Sequence, residues 1–495
     1  MTGLFFRRGD ITSAVKFRTR CLFASCTRLC RLGCLYTGLL LVVLHVSGCA
    51  NYPLNQPLDR YNPDGGYRLG KMGRSGNSRS LLVVVTFSGG GIRAAAFSYG
   101  VLEELARAEI WWEGHQRRLL DEVDVISAVS GGSFTAAYYG LFGDRIFEEF
   151  EGRFLKKNIQ RALMARVVLP PNWLRLASAN FDRSDLAAEY YDRKVFGGRT
   201  FGDIAARGGP VIYINATDMT LGTWFSFCQE QFDSICSDVS RFPVARAVAA
   251  SSASPAVLSP VTLRNYAGSC GYEIPQYIRE CLEERNVSRR RFQQAVHATS
   301  YMDAQKRPYV HLLDGGLSDN LGLRAIMDRI IFVRDPWSTL QMAGLEETRR
   351  VVFIVVNAET EPDIWLDQRE KAPRISQVLK STYRVSVKRY NFETVELLRE
   401  NLEKWAEEIR ARRCGARGAT SEAEATSELV PWNDIEFYLV EVNFDALPDE
   451  SERSYLKELP ASFKLRPETV DQLRDAAHRI LVRSPEFQRL LRDLR

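Results

Sequence analysis

The sequence predicts an α/β protein with a mostly parallel central sheet covered by helices on both sides. Nearly continuous apolar runs recur at residues 81–87 (LLVVVTF), 123–129, 211–214, 309–313 and 351–356. Runs of this kind belong to strands buried on both faces. Helical patterns lie between them, for example at 94–107 and 134–142, and strands alternating with helices build parallel sheets with two covered faces. Three of the segments also share one form: FSGGGIRAAAF (87–97), DVISAVSGGSFTAAYYG (124–140) and YVHLLDGGLSDNLGL (309–323) each run apolar, stop at glycines and become helix-like. That is strand, tight turn, helix.

The remaining elements follow in chain order. A length of 495 residues holds one large domain with additions, or two to three ordinary ones. A hydrophobic content of 45% and a charged content of 26% are those of a folded globular protein. Residues 1–48 carry a balance of +6, which leaves about −1 of the net +5 for the rest. The body is electrically neutral, so charge gives no argument for a nucleic-acid partner. Residues 35–46 (LYTGLLLVVLHV) form a short apolar run after a basic stretch, the size of a signal-peptide core. The run leads into Val46-Ser47-Gly48-Cys49, which resembles the lipobox of bacterial lipoproteins, with Cys49 as the lipidated first residue. A plain secretory signal or an N-terminal anchor is the alternative, and Arg7-Arg8 gives a weak hint of twin-arginine export. Cys49 is followed by Ala50 and Asn51, without the Asp that can retain lipoproteins in an inner membrane. The expected location is therefore the envelope, at the outer membrane of a diderm bacterium. Residues 49–80, rich in Asn, Pro, Gly, Ser and Arg, read as a tether.

Residues 154–178 mix basic and large apolar side chains and contain Pro170-Pro171. They read as an amphipathic lid or membrane-contact surface, or as a core helix followed by a loop. Beyond 360 the pattern predicts a long charged helix at 386–412, a polar loop at 414–428, a strand at 435–442 and a closing helix at 467–493. No long linker precedes this part, so residues 331–495 read as an extension of the same fold.

Of ten cysteines, Cys228, Cys236, Cys270, Cys281 and Cys414 would remain besides Cys49 after signal removal. The nearby pair Cys228/Cys236 is a plausible disulfide in an oxidising compartment, although pairing is not legible in sequence. CxxC spacing is absent and no His/Cys cluster suggests a metal.

Ala128-Val129-Ser130-Gly131-Gly132 nearly matches the Gly-x-Ser-x-Gly nucleophile elbow, with Ala128 in place of the first glycine. The elbow strains the serine, so small neighbours such as Gly132 are required. Gly89, Gly90 and Gly91 allow close backbone approach, and their N–H groups at a helix start suit an oxyanion hole. Arg93 could support that loop or meet a phosphate. The segment lacks the Gly-Lys-Ser/Thr ending of a nucleotide loop and the GxGxxG of a dinucleotide fold. Asp314, with Gly315 and Gly316, ends a strand from which a carboxylate can reach a serine on a neighbouring strand. A simple turn aspartate is the alternative.

Histidine decides the mechanism. Only His478 follows Asp314, in a charged helical segment, and His311 on the same strand points to the opposite face from Asp314. A Ser-Asp dyad is favoured, in which the carboxylate itself takes the serine proton. An ordinary aspartate of pKa about 3.9 is a weak base, so burial should raise it.

These motifs, in this order, resemble the patatin-like phospholipases, related in fold to cytosolic phospholipase A2. DRKVFGGRTFGDI (192–204), INATDMTLG (214–222) and AVAASSASPAVLSPV (247–261) add to the match, which covers roughly residues 81–330. LPASFKL (459–465) looks like the extension of some bacterial members. The resemblance implies a three-layer α/β/α fold, a patatin-like catalytic domain at 81–330 and lipid acyl hydrolysis without metal or organic cofactor. Ser130 maps to the nucleophile, Asp314 to the base, Gly89, Gly90 and Gly91 to the oxyanion loop. Ser88 stands where many patatins have Asp. The expected substrate is a phospholipid or other acyl-ester lipid met at a membrane surface. The alternatives are a non-catalytic envelope lipoprotein that binds lipid or protein, and a His-dependent esterase.

Overall fold

A computed structural model describes residues 55–71, 76–178, 181–255, 257–286, 289–333, 335–361, 366–418 and 435–495. The expected signal segment, Cys49 and the part of the expected polar loop beyond residue 418 lie outside them. Packing separates the chain into a large unit, Leu54–Arg166 with Arg183–Arg495, and a small one that includes Val167–Asp182.

The large unit opens with β1 (Leu81–Phe87), which turns through glycines into α1 (Gly91–Arg107). A hairpin of β2 (Glu109–Trp112) and β3 (His115–Arg118) leads to β4 (Val123–Val129), which passes straight into α2 (Ser130–Phe142). β5 (Val211–Asp218), β6 (Trp224–Ser226) and α3 (Val244–Ser251) follow. Then come β7 (Val261–Arg264), β8 (Tyr309–Asp314) and the single turn α4 (Gly316–Asp319). The C-terminal part holds β9 (Arg350–Asn357), α5 (Ile375–Gly418), β10 (Glu436–Asn443), α6 (Pro467–Arg483) and α7 (Pro485–Asp493).

The sheet runs β10-β9-β1-β4-β5-β8-β7, with β6 on β5. From β10 to β5 every pairing is parallel, and β1, β4, β5 and β9 are buried along nearly their whole length, as strands covered on both faces are. The far side is antiparallel: β8 meets β5 through their last residues, Ala216 opposite Asp314, and β7 pairs β8. That end-to-end meeting brings the C-terminus of β8 beside the end of β4, where Val129 pairs Asn215. Gly140 of α2 lies on the Ile212 side of the sheet, and α1 packs against both α2 and α6. On the other face Val84 and Tyr213 meet Ile326, Leu340 and Trp405, from helices 324–333 and 336–342 and from α5. The result is three layers. The strands of the extension are sheet members, since β9 lies between β1 and β10.

Several expectations are corrected. Residues 55–71 are no free tether: Asn55 is buried, donating to Ser237 Oγ at 2.8 Å and Arg264 O at 2.9 Å. Tyr67 is buried under β5 and Arg68 pairs with Asp233 at 2.5 Å. The disulfide joins Cys236 to Cys270, while Cys228 is a buried thiol that accepts from Arg329 at 3.0 Å. A separation of 34 residues hides that pairing from a sequence reader. The long helix starts at Ile375, just past Pro373, instead of 386, because its β-branched first turns mask the helical period. The closing helix is two, broken at Ser484-Pro485, where proline starts a new first turn.

Between 154 and 178 the chain forms helices Ile159–Val168 and Pro170–Leu176, and Pro170 begins the second instead of ending order. Met164, Val168, Leu169, Trp173 and Leu174 are exposed there, so this is not a core helix. Among the described residues no helix is long and apolar enough to cross a membrane.

Candidate active site

β4 is buried along its whole length and ends at Val129 in extended conformation. The next residue, Ser130, takes φ +48° and already begins α2. A left-handed non-glycine residue stores strain and lifts its side chain out of the strand-to-helix turn. The Ser130 N–H donates to Ser251 Oγ at 2.8 Å, and the Ser251 hydroxyl donates to Asn215 O at 2.6 Å. The elbow is wedged tightly. A Cβ at Gly131 would lie 2.0 Å from Gly91 O, and one at Gly132 would lie 2.7 Å from Phe87 Cβ. Ala128, between Phe87 and Ile214 in the sheet, is fully buried.

Asp314 is fixed by its backbone before its side chain acts. Its N–H donates to Ala253 O at 3.0 Å, and its carbonyl accepts from Thr217 Oγ1 at 2.8 Å. The Gly315 N–H donates to Ser251 O at 3.1 Å, and Gly315 sits so close to Asn215 O that a Cβ would be 2.3 Å away. Asp314 Oδ1 accepts from the Gly316 N–H at 2.9 Å, and Oδ2 accepts from the Ser130 hydroxyl at 3.1 Å. Both residues are buried, at 7% exposure for Ser130 and 5% for Asp314. Burial pushes the Asp314 carboxyl up to about 6, against the opposing pull of the Gly316 N–H and the Ser130 hydroxyl.

The three loop glycines are not equivalent. The Gly89 N–H donates to Asn320 O at 3.0 Å, so it serves as a tie between the loop and the segment after α4. Gly90 and Gly91 take φ +139° and +62°, conformations that favour glycine, at the start of α1. Arg93 is buried and acts as a brace. Its Nε donates to Ala358 O at 2.9 Å and its Nη1 to Leu459 O. Burial first, and then the nearby Arg384 charge, lower its guanidinium to about 9. The Ile92 N–H donates to Ser462 O at 2.9 Å. The LPASFKL segment of the extension is thereby stitched to the glycine loop.

Ser130, Asp314, Gly89, Gly90, Gly91 and Arg93 all line one cavity of about 330 Å³. The structure therefore gathers residues that the sequence separates by more than two hundred positions. Its outer wall comes from the extension, through Glu359, Glu361, Tyr383, Arg384, Lys388 and Phe463 among others. The Tyr383 hydroxyl abuts Gly316, 2.6 Å from where a Cβ would stand, and burial followed by the Asp314 charge keeps the phenol protonated. Ser251, Asn215, Asn320 and Tyr383 escaped the sequence reading as site residues. The first three lie in segments noticed for their pattern but given no role, and nothing in sequence ties Tyr383 to the site.

None of His115, His297, His311 and His478 lines this cavity. His311 Nδ1 bonds Thr262 Oγ1 at 2.9 Å, and His478 packs on Glu104 at 2.5 Å. His297 lines a separate cleft, where burial lowers its pKa, and His115 is exposed on β3.

Residues 85–327 match the model of the patatin-like phospholipase family. That segment runs from within β1 to beyond α4, and it contains Ser130, Asp314 and the glycine loop. Among solved structures the chain is similar to human GIVD cytosolic phospholipase A2, with 13% identity and a TM-score of 0.43 over 86% of this chain and 65% of that one. The same human protein in complex with methyl gamma-linolenyl fluorophosphonate gives 13% identity and a TM-score of 0.37, over 84% and 59% of the two chains. The chain thus spans less than two thirds of the length of those structures. No curated protein sequence matches it.

Proposed function

We propose that the chain is a serine-dependent lipid acyl hydrolase that cleaves carboxylic esters of the phospholipase A or lysophospholipase type. The observation that carries this is the Ser130 hydroxyl donating to a buried Asp314 carboxylate at 3.1 Å, in a cavity that no histidine lines. Ser130 Oγ attacks the ester carbonyl and its proton passes to Asp314 Oδ2. The Gly90 and Gly91 N–H groups hold the oxyanion, aided by the N-terminus of α2. Collapse of the tetrahedral species returns the proton from Asp314 to the leaving alkoxide and leaves an acyl-Ser130 ester. Water then gives a proton to Asp314 and attacks the acyl carbon. The second tetrahedral species expels Ser130, which regains its proton, and a fatty acid is released. The family match supports the reaction class, and the raised Asp314 pKa supports a base competent near neutral pH.

Hydrolysis of a panel of defined lipid esters tests this. Ser130→Ala and Asp314→Asn should each lower kcat/KM by about a thousandfold or more while remaining folded. Folded variants with full activity would refute the assignment.

The proposal extends to place. Cys49 carries lipid and holds the enzyme at a membrane surface of the envelope, on the outer membrane of a diderm host. The ordering of apolar core, small residues and cysteine supports this, and the Cys236–Cys270 bond suits an oxidising compartment. Labelled fatty acid should enter the wild-type chain in cells and not the Cys49→Ala variant; equal incorporation would count against it.

A further inference from the structure

A second cleft, of about 120 Å³, shares no lining residue with the Ser130 cavity. One side is a pair of helices, Gln276–Glu283 and Arg290–Ser300, packed around a small apolar core of their own at Ile278, Cys281 and Ala295. The other side is the main body, through Trp224, Tyr301 and Asp328. Two separate cores leave a seam where they meet, and the cleft is that seam. Its walls are aromatic: Trp224, Tyr272, Tyr277, Tyr301 and Phe332 line it, with Tyr277 and Phe332 edge to face at 5.3 Å.

Two polar atoms of this cleft are buried without a partner among the described residues. Asp328 is 4% exposed. Its Oδ2 accepts from the Trp224 indole at 2.9 Å and from the Gln294 amide at 3.0 Å, but its Oδ1 accepts from nothing. His297 Nδ1 is the second such atom. Buried polar atoms are nearly always hydrogen-bonded, so a pair of exceptions in one cleft points to an absent donor. Burial lowers the His297 pKa, and a neutral ring can offer Nδ1 as an acceptor. Burial raises the Asp328 carboxyl, while the Trp224 bond and then the Arg324 charge pull it back toward the ionised form. Arg329, the one cation among the described lining residues, is committed elsewhere. It lies over Tyr213 and Trp224 at 4.5 and 5.1 Å, donates to Ala325 O at 3.2 Å and to Cys228 Sγ at 3.0 Å, and feels the charge of Glu230, which also lines the cleft.

We propose that this cleft is a second ligand site, which binds a small primary alkylammonium whose N–H groups donate to Asp328 Oδ1 and His297 Nδ1. A carboxylate oxygen bonds a charged N–H donor more strongly than a neutral one, and aromatic faces attract a cation while covering its alkyl stem. An apolar cavity of about 150 Å³ holds a benzene ring, so this smaller cleft takes a ligand of roughly five heavy atoms. The site does not depend on the acyl-hydrolase reading.

The test titrates the full chain with three probes of similar size at constant ionic strength: n-butylammonium, uncharged 1-butanol, and tetramethylammonium, which has no N–H. Butylammonium should bind at one site and at least about tenfold more tightly than either of the others, the difference made by a charge-assisted hydrogen bond. D328N should weaken butylammonium at least about tenfold and leave 1-butanol within about twofold. Should D328N fail to fold, the wild-type series still decides, together with a crystal soaked in butylammonium, where the nitrogen should lie within hydrogen-bond distance of Asp328 Oδ1. Equal affinities for the three probes, or undiminished binding by D328N, overturns the site. So does a soaked crystal with only water on Asp328 Oδ1. Tighter binding of tetramethylammonium overturns it as well, since that cation can donate nothing to the two acceptors.

Discussion

Asp314, the base of the proposed reaction, takes its basicity from its surroundings. Its carboxyl is buried and among the described residues carries no cationic partner; Gly316 and Ser130 donate hydrogen bonds to it. Desolvation therefore dominates and lifts it to about 6. Activity requires the ionised form, so kcat/KM should climb with pH through an acid limb near 6 instead of near 4; a limb near 4 would mean a solvated base. The same shift has a stability side. Below about 4 the carboxyl is neutral in folded and unfolded chains alike. As pH rises from about 4 to about 6 the unfolded chain ionises first, and folded stability falls by on the order of 3 kcal/mol. Asp314→Asn should accordingly raise the melting temperature at pH 8 more than at pH 4, while removing activity. The reasoning that Asp314 must be desolvated is available from sequence once histidine is set aside. Ser251 is not, because it acts through its Oγ on the Ser130 N–H and through its carbonyl on the Gly315 N–H, contacts that only α3 packing creates.

At the scale of elements, the site is three strand ends and the turns that leave them. The β4-α2 elbow and the β1-α1 loop touch through backbone, with no room for a side chain at Gly131. Gly131→Ala would set a methyl 2.0 Å from Gly91 O. Overpacking of this kind should cost about 1–3 kcal/mol or displace the loop. Chemical denaturation should register that loss and esterase assays a fall in kcat; an unaffected variant would mean the loop does not seat on the elbow. The parallel strands β1, β4, β5 and β9 were legible because each contains a nearly continuous apolar run. The antiparallel approach of β8 was not, since its apolar run reads the same in either direction, although its burial alternates along the strand. What β8 does need is only that Asp314 finish opposite Ala216, one strand from the elbow. The start of α5 was hidden because Ile375, Val378, Thr382 and Val385 in its first turns are β-branched and weak in helix propensity.

For the whole molecule, the extension is part of the site. β9 and β10 complete the sheet, and α6 lies on α1, with Gly100 close enough to Arg474 that a Cβ would be 2.6 Å from its carbonyl. Arg93 and Ile92 bind the 459–462 segment to the glycine loop, and α5 adds Tyr383, Arg384 and Lys388. Sequence motifs pointed to the residues proposed as nucleophile, base and oxyanion loop, because those functions need particular residues at particular turns. The outer wall left no motif, because a wall needs only shape and charge and is assembled from three distant stretches. The account stands or falls on Ser130 as the nucleophile that Asp314 activates. Intact-mass and peptide analysis after incubation with a fluorophosphonate measures this directly. The account predicts one adduct on Ser130 in the wild type, none in Ser130→Ala and greatly slowed labelling in Asp314→Asn. An adduct on another residue, or labelling of Asp314→Asn at the wild-type rate, would contradict it.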